Sequence, residues 1–195
     1  MYAMTRKSLK LMQRGFTLIE LLIVVIILAI LAAILIPQFS SSTVDAQEAA
    51  LDANLNGLRT AIELYKVQHS GKYPGAVAST GATCTLGTAG TGAVDLPQAV
   101  IDQLTMFSSI TGTTCNASNI SATPANNTIL GPYIRKGIPA DPIKNSATIV
   151  VANLGTLLVP TGTTGGWAYD DKTGQIVMNS VITALDSKGV AYSAH

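Results

Sequence analysis

The side chain most out of place in this sequence is Glu20. It stands in RGFTLIELLIVVIILAILAAILIP, residues 14–37, where Leu21 to Ile36 is an unbroken apolar run of sixteen. A carboxylate deep in such a span costs about 2.5–3.5 kcal/mol on insertion scales, and less near an end where it reaches the interface. The other residues with chemical potential are Cys84 and Cys115, His69 and His195, and the adjacent acids Asp170 and Asp171. No Gly-rich phosphate loop, HExxH or nucleophile elbow occurs, so the inventory does not read as an enzyme.

Cys84 and Cys115 have no metal-ligand spacing with either histidine, which argues against zinc. If this part of the chain lies outside the cytoplasm, a disulfide is the expected state, with two buried free thiols as the alternative. Asp170 and Asp171, with carbonyls nearby, could supply hard oxygen ligands to Ca²⁺. A solvated β-turn is the alternative there. Asn116, Asn119 and Asn126 each begin an N-x-[ST] triplet, and these read as chance occurrences in a chain rich in Asn, Ser and Thr.

The element that must position Glu20 is a helix. Phe16 to Ile36 would span roughly 31 Å at 1.5 Å per residue, matching a hydrocarbon core of about 30 Å. Arg6, Lys7, Lys10 and Arg14 precede it, with no acid among the first fifteen residues. That flank reads as the cytoplasmic side of a membrane segment, and is too short and isolated to suggest nucleic-acid binding. After Gly15, eight Lys/Arg face eleven Asp/Glu.

Three readings of the span compete. A cleaved secretory signal could use Val44-Asp45-Ala46, but an h-region is usually about 7–15 residues and carries no acid. A plain signal anchor has no use for Glu20. In the third, a cut between Gly15 and Phe16 creates a free amine four positions from Glu20, about 400° of helix rotation and hence on one face. The new helix end also favours a nearby anion. Pairing with the amine of a neighbouring chain would set the axial register of an assembly.

The residues RGFTLIELLIVVIILAILAAILIPQF resemble the N-terminal segment of bacterial type IV pilins and of type II secretion pseudopilins. The likeness rests on a basic leader ending in Gly15, on Phe16, Thr17, Leu18, Ile19 and Glu20, and on Pro37 at the far end of the span. It implies cleavage after Gly15 by a prepilin peptidase, N-methylation of Phe16, and neutralisation of the Phe16 amine of an adjacent subunit by Glu20. It also implies a homo-oligomeric helical fibre built by an inner-membrane assembly platform. Major pseudopilins of type II secretion bind calcium in the C-terminal region, though their ligand set does not transfer residue by residue onto Asp170 and Asp171.

Pro37 should kink or loosen the helix where the apolar run ends. Beyond it, Leu51, Leu55, Leu58, Ile62 and Tyr65 recur at steps of four and three, one apolar stripe on an amphipathic helix. Two heptads are too few for a coiled coil, so the stripe is expected to pack on the protein's own sheet. Asp45, Glu48, Asp52, Arg59, Glu63 and Lys66 occupy other positions, and Gly57 could mark a bend. HSGKYPG then closes the helix near Ser70, with Gly71 suited to an αL cap. The GKYP turn again resembles the pseudopilin pattern, that of the major subunit.

Residues 75–127 read as irregular loop, with a short helix inserted over Leu96–Phe107 and bracketed by the cysteines. ATIVVANLGTLLV reads as a buried strand, and GGWAYDDKTGQIVMNSVI as strand, turn and strand, with a last short strand after Asp186–Gly189. The IPADP loop and the GWAYDDKTGQI hairpin also resemble G-type pseudopilins, more loosely. Trp167 and Tyr169 suit core packing.

These readings give an α+β fold: a long N-terminal helix, transmembrane in its first half, packed on a small antiparallel sheet in a pilin-like arrangement. The expected parts are a cleaved leader (1–15), a membrane or fibre-core helix (16–37), an amphipathic half (38–70) and a globular head (71–195). The expected function is a structural subunit of a type IV pilus-like fibre, in the inner membrane with its head in the periplasm before assembly. The alternative is an exported binding protein held by a simple signal anchor.

Overall fold

The computed structural model describes residues 15–117, 120–121, 129–160, 162–163, 165–181 and 183–195, without the side chains of 35–41 and 120–121. The basic leader residues up to position 14, and Asn119 and Asn126, lie outside the described residues. The chain divides into two compact units, one ending at Thr43 and the other comprising Val44–His195. Helix α1, Leu18–Gln68, contributes to both and runs through positions 37 and 57.

In the N-terminal unit α1 exposes every described large apolar side chain. Phe16 is 84% and Leu18 86% exposed, and even Leu31 remains 49% exposed. Among the described residues, no helix is long and apolar enough to cross a membrane; the described side chains of the apolar run stop at Ile34.

The C-terminal unit is built on the apolar stripe of α1. Leu51, Leu55, Leu58, Ile62 and Tyr65 are buried together with Val100, Leu104, Ile149, Trp167, Tyr169, Ile176 and Met178. Each fully buried Leu or Ile contributes about 1.5–3 kcal/mol, so this stripe is the main fastening of helix to head. At the end of α1 the N–H of Gly71 donates to the Lys66 carbonyl at 2.9 Å, and Gly71 takes φ +82°. The left-handed cap is where the sequence placed it.

Three small sheets complete the unit. β1 (Thr83–Cys84) pairs with β4 (Ile120–Ser121), and β2 (Phe107–Ser108) with β3 (Thr114–Cys115), both antiparallel. The stretch expected to be loop therefore contains two short ladders. Between them lies α2, Pro97–Thr105, inside the expected Leu96–Phe107. Pro97 holds Leu96 extended (φ −105°, ψ 149°) and opens the helix.

The third sheet corrects the expected antiparallel arrangement. Its order is β5 (Ile149–Ala152), β6 (Trp167–Asp170), β7 (Ile176–Met178). β6 and β7 form the expected antiparallel hairpin, Trp167 opposite Met178. β5, however, lies parallel to β6, Ile149 opposite Trp167. Parallel pairing needs a crossover of about a dozen residues or more, which residues 153–166 supply. ATIVVANLGTLLV is accordingly not one strand. Gly155 turns the chain at φ +65°, and Leu154, Leu157 and Val159 are left 57–74% exposed. The last expected strand is a single bridge, Leu185 to Ala191, followed by a 3₁₀ turn at Tyr192–Ala194.

Candidate functional site

Glu20 is partnered before any cut. Its Oε2 accepts from the Thr17 N–H at 2.8 Å and the Thr17 hydroxyl at 2.7 Å, while the Glu20 N–H donates to Thr17 Oγ1 at 3.3 Å. This reciprocal capping box satisfies two of the donors that every helix start leaves open. The sequence reading paired Glu20 with an amine created by a cut; the signal it missed was T-x-x-E directly before an apolar run. Phe16, one residue outside the cap, is largely exposed.

In the C-terminal unit, polar chemistry is concentrated in carboxylates, most of them structural. Asp102 of α2 is fully buried without a cation. Its Oδ2 accepts from Ser79 Oγ (2.7 Å), Thr91 N (2.9 Å) and Gly92 N (3.1 Å), and its Oδ1 from Gln98 Nε2 (2.6 Å). Gln103 accepts from Gly75 N at 2.7 Å and donates to the carbonyls of Val77 and Gly112. Two consecutive α2 residues thus hold the surrounding loops. Asp141, in the IPADP loop, accepts from the N–H groups of Ile143, Lys144, Ser146 and Gly166.

Three charged residues of α1, Glu48, Asp52 and Arg59, fasten the last ten residues. Glu48 accepts from the N–H and hydroxyl of Ser187 at 2.7 and 2.6 Å. The His195 ring lies 2.8 Å from Asp52 and 3.2 Å from Asp186, and Arg59 donates to the His195 carbonyl at 2.7 Å. Burial works to raise the Asp186 carboxyl, but the N–H groups of Val190 and Lys188 and the His195 ring hold it below its usual range.

Asp170 and Asp171 behave differently from each other. Asp170 accepts from Gly155 N (3.1 Å), Lys172 N (3.1 Å) and Thr173 Oγ1 (2.9 Å), as the head of the β6–β7 turn. Asp171 is buried with neither oxygen hydrogen-bonded by a donor. Burial, reinforced by contact with the Asp95 carboxyl, raises it to about 6. Lys172 Nζ stands 3.7 Å from Asp95 and 3.9 Å from Asp171. With Asp170 engaged by three donors, the pair does not form a cradle. Among the described residues no group of three or more His, Cys, Asp or Glu side chains could hold a metal ion.

Cys84 and Cys115 are joined in a disulfide, with Cα atoms 6.0 Å apart, bracketing α2. His69 is buried at the end of α1, its ring stacked on Tyr65 (centroids 3.6 Å) and its Nε2 3.0 Å from Ser108 Oγ. This Ser–His contact is sealed from solvent and serves packing. Trp167 Nε1 donates to the Pro139 carbonyl at 2.7 Å and Tyr169 to the Pro74 carbonyl at 2.9 Å, so both rings are core residues with satisfied polar ends. Asn116 uses its side chain to accept from Thr88 N at 2.8 Å.

The comparisons with known proteins fall on the N-terminal segment. Residues 10–36 match the family model described as the prokaryotic N-terminal methylation motif. A type IV major fimbrial protein of Dichelobacter nodosus is 49% identical over 55 residues, 28% of this chain and 35% of its own length. A type IV narrow pilus major component of Thermus thermophilus is 45% identical over 58 residues, 30% of this chain and 50% of its own. The type II secretion system core protein G of Klebsiella pneumoniae is 36% identical over 62 residues, 32% and 44% of the two chains. The chain thus spans about a third to a half of the length of the curated relatives it matches. No solved structure matches it. Through this shared segment, with its capped glutamate, the N-terminal part of the chain is similar to that of type IV pilins and type II secretion pseudopilins.

Proposed function

We propose that this chain is a structural subunit of a type IV pilus-like fibre, with no catalytic step of its own. A prepilin peptidase cuts between Gly15 and Phe16, and Phe16 is N-methylated. Before assembly the helix from Phe16 to Pro37 spans the inner membrane, with Pro37 loosening its far end and the head in the periplasm. Assembly moves that helix from lipid into a fibre core of sister helices. Glu20 then meets the Phe16 ammonium of a neighbouring copy, an exchange that offsets the cost of a carboxylate in apolar surroundings.

The observation that carries this reading is the apolar helix from Leu18 to Ile34, exposed on every side and opened by a capped glutamate. Among the described residues nothing covers that surface, and an isolated soluble domain rarely leaves so large an apolar patch bare. A simple signal anchor would account for the apolar run, and the Thr17 cap for the acid at its start, but neither accounts for the match of residues 10–36 to the N-terminal methylation motif.

Glu20→Ala tests it. The variant is expected to insert into the membrane as well as the parent or better, and to form no fibres. Mass spectrometry of the mature protein should show an N-methylated Phe16. Normal filaments from the variant, or a mature start at Gln47, would return the segment to a tether or a secretory signal.

A further inference from the structure

Glycine is the poorest helix former after proline, yet Gly57 sits in the middle of α1, where a Cβ would meet nothing within 4 Å. Packing within the chain does not require it. What it opens is a cleft of about 350 Å³ over Ala53, Gly57 and Leu58, walled by Tyr133, Arg135 and Lys136. Arg135 and Lys136 are exposed, and among the described residues neither side chain has a hydrogen bond or ion pair.

The complementary charge is on the same helix. Asp45 is exposed, and of the acids at described positions it alone has no hydrogen bond or ion pair. Its exposed neighbours are Ala46 and Ala49, a slim surface able to approach a cleft floored by glycine. Twelve residues separate Asp45 from Gly57, roughly 18 Å along the helix, so Asp45 cannot reach the cleft of its own chain.

We infer that the cleft over Gly57 receives the Asp45 turn of a second copy of this chain, with the Asp45 carboxylate placed between Arg135 and Lys136. Because the two patches differ, the contact is heterologous and repeats from copy to copy without closing. Copies so joined are displaced along the helix axis by about 18 Å. The inference rests on the fibre reading and names the contact that locks the heads within it.

The test uses the full chain in cells that assemble it, with fibres counted by electron microscopy and the melting temperature of the purified protein as a folding control. Arg135→Glu with Lys136→Glu, and separately Asp45→Lys, should each lower fibre yield by about tenfold or more, as like charges now face each other. All three substitutions together should restore it. Gly57→Leu should fold as the parent does and fail to assemble. Parental yield from the charge variants or from Gly57→Leu overturns the inference, as does loss of fibres that the combined exchange does not restore. A parent chain that forms no fibre overturns the fibre reading and this contact with it.

Discussion

The buried carboxyl of Asp171 shares one ammonium group with Asp95: Lys172 Nζ is 3.9 Å from the first and 3.7 Å from the second. Asp102, Asp141 and Asp170 each collect three or more donors from the chain. Asp171 collects none. Asp171 is therefore favoured in its protonated form, because ionising it leaves a buried charge poorly compensated.

Its pH dependence follows. The folded value of Asp171 is raised from 3.8 to about 6, so the folded state binds the extra proton. The stabilisation is fully present below pH 3.8 and lost as pH rises through about 6. Asp171→Asn is expected to raise stability at pH 7.5 by about 1–3 kcal/mol and to leave it little changed near pH 4. Urea midpoints of parent and variant at both pH values check this; a constant difference between them refutes the raised carboxyl of Asp171.

His69 works in the opposite direction. Burial lowers its folded value from 6.5, so its stabilisation is present above 6.5 and lost as pH falls through the lower folded value. His69→Gln should cost about 1–2 kcal/mol at neutral pH through the lost stack on Tyr65. The same variant should abolish this part of the acid loss. Difference curves between parent and variant separate the two groups, which titrate over neighbouring ranges.

Position on the protein, rather than charge, should govern the cost of losing a carboxylate. Asp102→Ala strands four donors and is expected to cost about 2–4 kcal/mol. Asp52→Ala removes a half-exposed partner of His195 and should cost under about 1 kcal/mol. Denaturant midpoints rank the two, and equal costs would mean that the buried network around Asp102 is dispensable.

The disulfide closes a loop of 31 residues. Cys84→Ser with Cys115→Ser should cost about 3–4 kcal/mol, chiefly by freeing the unfolded chain. α2 should persist, because Asp102 and Gln103 hold it independently. Hydrogen exchange in the double variant should rise first in residues 85–95.

What could be read from the sequence was what depends on local repetition. The 4-3 spacing of Leu51, Leu55, Leu58, Ile62 and Tyr65 fixed one face of α1, and all five are buried. Gly71 acted through its own backbone and was legible for that reason. The capping box is equally local, a hydroxyl on Thr17 three residues before Glu20. The direction of β5 was not legible, because a parallel neighbour and an antiparallel one draw on the same apolar strand. The burial of Glu48 and Asp102 was not legible either, since only the return of distant segments decides whether a charge is covered.

The Thr17–Glu20 box contains no atom from the leader. Severing the chain after Gly15 therefore deletes the basic arm without disturbing the first turn, and the new terminus emerges beside a scaffold that was already set. In the proposed fibre subunit, processing would therefore add a charge at the tip without reworking the turn that Glu20 closes.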